Sequence, residues 1–153
     1  MKKIRMSRSV AALLIAFGCQ TALAATNDPE TPTTINGAKV VSVDEAKGLM
    51  GSAKFYDTRN ALNFGKGHLP GAVQVSGKWK SDTTPDANLS ADEMDVSKLP
   101  GDKAAKMVFY SDGPKGWKSY KAALMTVKAG YKNVMWMRGG LSEWEVKGYP
   151  VEK

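Results

Sequence analysis

The densest chemistry-bearing pattern in the chain is the run Ser111, Asp112, Gly113, Pro114, Lys115, Gly116, Trp117 and Lys118. It follows the apolar residues Met107, Val108, Phe109 and Tyr110 and precedes a helical pattern. Backbone N–H groups therefore gather where a helix begins, an arrangement that stabilises an anion. Gly113 and Gly116 let those amides converge, and Lys115 and Lys118 add positive charge. The same residues could equally do no more than close a strand-to-helix turn, with both lysines solvated. A hydroxyl nucleophile at Ser111 needs an adjacent base, and the sole histidine is His68. Asp57 and Arg59 are expected to form an ion pair that fixes the neighbouring loop. Arg138, just before Gly139 and Gly140, is a candidate for the rim of the same loop or an ordinary surface arginine.

Thiol chemistry is confined to one position, because the only cysteine of the 153 residues is Cys19. It lies in a leading segment where Lys2, Lys3, Arg5 and Arg8 precede an apolar run over residues 10–17. Ala22, Leu23 and Ala24 then offer a small-residue cleavage site, so residues 1–24 are expected to be a signal peptide and the product periplasmic or secreted. A lipoprotein anchored at Cys19 is the alternative; Ala16 stands where a lipobox usually has leucine. The run is shorter than the roughly 20 apolar residues that span a bilayer, so no membrane-spanning segment is expected. Cleavage leaves 18 basic and 15 acidic residues, a net charge of +3. That scattered excess does not point to nucleic acid. Without a thiol, the remaining chain can form no disulfide or thiolate–metal site, and a lone histidine adds too few soft ligands, so neither metal nor cofactor is expected.

The loop must be held by the elements around it. Residues 25–38, rich in Thr, Pro and Asn, are expected to be a flexible leader, and residues 39–153 the domain. Short apolar runs alternate with helical patterns thereafter, the mark of parallel strands with crossover helices. Ser42 and Glu45 have the spacing of a capping box. Strands are expected at residues 54–57, 72–75, 107–110 and 134–137. Tyr120, Ala123, Leu124 and Val127 follow helical spacing up to Gly130, and Leu141 and Trp144 lie on one face of a last helix. Residues 76–100 form a long polar connection in which Ser90 and Glu93 suggest a second capping box. Trp136 and Trp144 are expected in the core, whereas Trp79 and Trp117 could line a pocket.

Three ordered blocks resemble the rhodanese family: Asp57-Thr58-Arg59 followed by Gly67-His68-Leu69-Pro70-Gly71-Ala72; the 111–118 loop; and Gly139-Gly140 through Trp144 to Gly148-Tyr149-Pro150-Val151. The resemblance implies an α/β fold with a mainly parallel sheet of about five strands and helices on both faces. It also makes His68 part of a structural turn. Ser111 occupies the position of the family's nucleophilic cysteine, and Gly116 that of a second cysteine in members with the longer loop. A hydroxyl in a cradle suited to a thiolate cannot carry a persulfide, so no catalytic residue is assigned. Two functions follow. One is a non-catalytic module that binds a small oxyanion, a sulfur compound or an exported partner protein through the loop. The other is a sulfurtransferase-related enzyme that uses a partner's thiol, or whose natural sequence has cysteine at position 111.

Overall fold

A computed structural model of the chain describes residues 28–153. The expected signal peptide, Cys19 and residues 25–27 of the expected leader lie outside the described residues. In order, the elements are β1 (Lys39–Val41), α1 (Val43–Gly48), β2 (Lys54–Asp57), α2 (Ala61–Lys66), β3 (Val73–Gln74), β4 (Gly77–Lys78), β5 (Glu93–Met94), β6 (Lys106–Tyr110), α3 (Trp117–Lys128), β7 (Asn133–Met137) and α4 (Gly140–Val146). Five strands form one sheet in the order β1-β7-β6-β2-β3. All its pairings are parallel. β4 and β5 pair antiparallel in a separate ribbon.

Local chemistry explains the elements that frame the sheet. The Ser42 hydroxyl accepts from the Glu45 amide at 3.1 Å and the Glu45 carboxylate accepts from the Ser42 amide at 2.8 Å, so α1 opens with a complete capping box. β6 is central and is covered on both faces, as its unbroken apolar run requires. Met107 and Phe109 pack with Trp117, Tyr120, Ala123 and Trp136 on the α3 side. Val108 and Tyr110 pack with Val43 and Ala46 of α1 and Leu141 and Trp144 of α4 on the other. Trp136 and Trp144 are fully buried, each contributing roughly 1.5–3 kcal/mol or more of transfer free energy.

Two expectations change. The helix placed at Ser90 is a single 3₁₀ turn, Leu89–Ala91, capped by the Asn88 side chain. The stretch expected as a leader lies against the domain from its first described residues. The Trp117 indole donates to the Pro29 carbonyl at 2.7 Å, and Ile35 is in the core with Tyr56 and Trp136. The packed unit thus begins before Lys39. Much of its first segment is held through the backbone carbonyls of Pro29, Thr31 and Pro32, which leave no trace in side-chain periodicity.

Candidate functional site

β6 ends at Tyr110, and the sequence blocks singled out above gather around that end. Thr58 donates to the Tyr110 carbonyl from both its amide and its hydroxyl, each at 3.1 Å. The Leu69 amide donates to the Tyr110 hydroxyl at 3.1 Å. Burial, reinforced by the nearby Asp57 charge, pushes that phenol well above its ordinary pKa, so it stays neutral.

Asp57 is fully buried and Arg59 is 5 % exposed. The Arg59 Nε lies 3.0 and 3.1 Å from the two carboxylate oxygens of Asp57, and Nη2 lies 2.6 Å from Oδ2 and 2.6 Å from the Gly67 carbonyl oxygen. Burial opposes the guanidinium charge, but Asp57, with Asp112 and Tyr110 adding, more than offsets this and holds the proton tighter than usual. Among the described residues, the partner of Nη1 is the exposed carboxylate of Asp112, 3.5 Å away.

The loop is drawn tight. The Gly116 amide donates to the Gly113 carbonyl at 2.8 Å and the Trp117 amide to the Lys115 carbonyl at 3.0 Å. The amides of Asp112 and Gly113 have no acceptor among the described residues. Ser111 is 5 % exposed and sits against Gly116. A Cβ at position 116 would lie 2.7 Å from the Ser111 Cβ and 2.8 Å from the Gly113 oxygen. In this loop, then, any side chain at 116 forces the backbone to move.

The loop is braced from behind and in front. The amides of Leu141 and Ser142 donate to the Ser111 and Asp112 carbonyls at 2.9 and 2.8 Å, so the start of α4 fixes the peptides on either side of Asp112. In front, the Thr31 amide and hydroxyl both donate to the Pro114 carbonyl, at 2.9 and 2.5 Å. Arg138 secures that strap by donating to the Thr31 and Pro32 carbonyls at 2.9–3.2 Å and to Glu30 at 2.8 Å. Arg138 itself does not line the cavity at the loop. Arg138→Ala should therefore release the strap at a cost of about 1–2 kcal/mol. Amide exchange at Thr31 should accelerate much more than at β6, and equal protection in variant and parent would show that the strap does not depend on Arg138.

A cavity of about 420 Å³ opens over the loop. Ser111, Asp112, Gly113, Lys115, Gly116, Trp117 and Lys118 line it together with Arg59. Pro114 is turned to the strap instead. His68 is elsewhere: its ring stacks on Phe64, with centroids 3.8 Å apart, Nδ1 lies 3.0 Å from the Phe64 carbonyl, and its backbone pairs with Glu152. It is not among the lining residues and offers Ser111 no base there.

Of the remaining walls, sequence reasoning singled out Trp79 as a pocket-lining candidate and passed over the rest. Asn60 and Asn63 come from the start of α2, a short helix with no buried residue and hence no apolar periodicity. Its only signal was the N-cap, where Asn60 Oδ1 accepts from the Asn63 amide at 2.8 Å. Trp79, Ser81 and Thr83 come from the long connection. That connection is clamped to α3 by Lys121, 3 % exposed, whose Nζ donates to the Ser81 carbonyl at 2.7 Å and lies 3.9 Å from Asp92. Asp92 also accepts from the amides of Lys80 and Ser81 and from the Ser81 hydroxyl. Burial alone would raise its pKa; the Ser81 hydroxyl, these amides and Lys121 outweigh it and hold the carboxyl below its ordinary value. Among the described residues no buried side-chain polar atom lacks a partner, and no three His, Cys, Asp or Glu side chains are grouped to hold a metal. No helix among them is long and apolar enough to cross a membrane.

An open parallel sheet with helices on both faces, carrying a tight loop at the carboxyl end of its central strand, defines a class of α/β domain that presents ligands to its loops. The model of the rhodanese-like domain matches residues 42–147, and the chain belongs to that family. Comparison with curated proteins finds no match. Among solved structures, BH2092 of Bacillus halodurans is similar, with a TM-score of 0.57 and 19 % identity over 75 % of this chain and 77 % of that one. The polysulfide-sulfur transferase homodimer of Wolinella succinogenes gives 0.55 and 16 %, over 76 % and 79 %. The thiosulfate sulfurtransferase of Pseudomonas aeruginosa gives 0.53 and 20 %, over 75 % of this chain but 20 % of that one.

Proposed function

We propose that this rhodanese-like domain is an exported binding module that holds a small oxyanion or sulfur compound at the 111–118 loop and does not itself transfer sulfur. The observation that carries this reading is Arg59. Its guanidinium is almost fully buried beside the cavity, with Nε and Nη2 committed to Asp57 and Gly67 and, among the described residues, Nη1 paired with an exposed carboxylate at 3.5 Å. With the unclaimed amides of Asp112 and Gly113 and the Lys118 ammonium, it supplies charge-assisted donors for an oxyanion. Ser111 supplies a hydroxyl where sulfur transfer needs a thiolate, and residues 28–153 contain no cysteine.

A second reading, a sulfurtransferase-related enzyme served by a partner's thiol, draws support from the two sulfur-transferring proteins among the structural neighbours. One experiment separates the two. Thiosulfate or sulfate should shift the amides of Asp112 and Gly113 selectively, with millimolar affinity, about −4 kcal/mol. Lys115→Ala with Lys118→Ala should weaken binding, and Ser111→Asp should abolish it by placing a carboxylate on the same donors. Thiosulfate-to-cyanide transfer should stay at background, with or without added low-molecular-weight thiol. Uniform amide shifts refute the binding site; turnover that is lost in Ser111→Ala refutes the non-catalytic reading.

A further inference from the structure

The cavity is larger than the anion its loop can hold. Pockets of ~300–1,000 Å³ take small organic molecules, and this one, at about 420 Å³, falls in that range. An inorganic oxyanion seated on Arg59 and the loop would not fill this volume, and the large apolar side chain that lines it from outside the loop is Trp79.

Trp79 differs from the other tryptophans. Trp117 donates its indole N–H to the Pro29 carbonyl, Trp136 to the Ser119 hydroxyl and Trp144 to the Pro150 carbonyl. The Trp79 indole N–H has no acceptor among the described residues, and the half-buried ring lines the cavity. The ring is also held in place. It lies against Gly77, where a Cβ would be 2.5 Å from Cζ2, and the next two residues, Lys80 and Ser81, are clamped by Asp92 and Lys121. A second cavity of about 190 Å³ shares Arg59, Asn60, Trp79 and Lys118 with the first, so the indole and the cationic groups meet at the boundary of two spaces.

We infer that the ligand class of this site is an aryl oxyanion: an organic acid whose sulfonate, phosphate or carboxylate lies on Arg59, Lys118 and the loop amides, and whose ring lies against Trp79. This rests on the reading of the loop as an oxyanion site. A fixed indole with a spare N–H favours a flat aromatic body over an aliphatic one, because rings of this kind prefer offset-stacked or edge-to-face partners and keep a polar handle.

The test compares sulfate, methanesulfonate and benzenesulfonate by calorimetry on the full-length protein, Trp79→Ala and Trp79→Phe. Benzenesulfonate should bind the parent about tenfold more tightly than methanesulfonate. Trp79→Ala should remove that difference and leave methanesulfonate within twofold of the parent, which also shows that the variant is folded at the loop. Trp79→Phe should retain most of the preference. Equal binding of the two sulfonates by the parent, or a preference that survives in Trp79→Ala, overturns the aryl assignment while the oxyanion site stands. Failure of all three anions to bind overturns both.

Discussion

Arg59→Met is expected to destabilise the protein by about 3–5 kcal/mol, because it leaves the Asp57 carboxylate fully buried without its counter-ion. The substitution keeps much of the aliphatic volume, so the loss is electrostatic more than steric. It also removes the donor to the Gly67 carbonyl, 2.6 Å from Nη2, and with it the tie between β2 and the turn before β3. For a domain of this size the melting temperature should fall by about 10–20 °C. Asp57→Leu combined with Arg59→Met should recover part of the loss, since a buried ion pair is often replaced by apolar residues at little cost whereas a single survivor is not tolerated. Urea unfolding of the parent, the single variant and the double variant checks this. A loss below 1 kcal/mol in Arg59→Met, or a double variant less stable than the single one, would show that the charge is not held by its partner.

The same pair shows what the sequence can convey. Asp57 and Arg59 are two residues apart at a strand end, and that spacing alone suggested the ion pair; the capping box of Ser42 and Glu45 and the buried run of β6 were equally readable from local pattern. Patterns of this kind work where a residue's environment is set by near neighbours in the chain. They did not reveal Lys121, whose place on α3 suggests a solvated charge, because its burial depends on Ser81 and Asp92 far away in sequence. Ser90 and Glu93 have the spacing of a capping box, yet Asn88 caps the turn instead, and the Asp92 carboxylate between them is drawn to the amides of Lys80 and Ser81. The strap of residues 29–32 was unreadable for a different reason. Apart from the Glu30 carboxylate on Arg138, its contacts to Trp117 and Arg138 use backbone carbonyls, which every residue has.

Gly140→Ala is the substitution expected to affect the loop most. Gly140 has φ of +62°, in the left-handed region that disfavours a side chain. A Cβ there would lie 2.6 Å from the Asp112 carbonyl carbon, the Gly113 nitrogen and the Ser111 oxygen. All three are backbone atoms, so no flexible side chain can yield; either the loop or the start of α4 must move, and the Leu141 and Ser142 hydrogen bonds to the loop carbonyls go with it. Strain and lost hydrogen bonds together should cost about 2–4 kcal/mol. Gly148 provides the control, because its φ of +71° is equally left-handed but open space surrounds its missing Cβ. Gly148→Ala should cost only about 1 kcal/mol and leave the loop unchanged. Sulfate titration of the two variants then separates backbone strain from displacement of the site. Gly140→Ala should lose the selective shifts at Asp112 and Gly113, and Gly148→Ala should keep them. If both variants keep them at equal stability, contact between α4 and the loop does not shape the site.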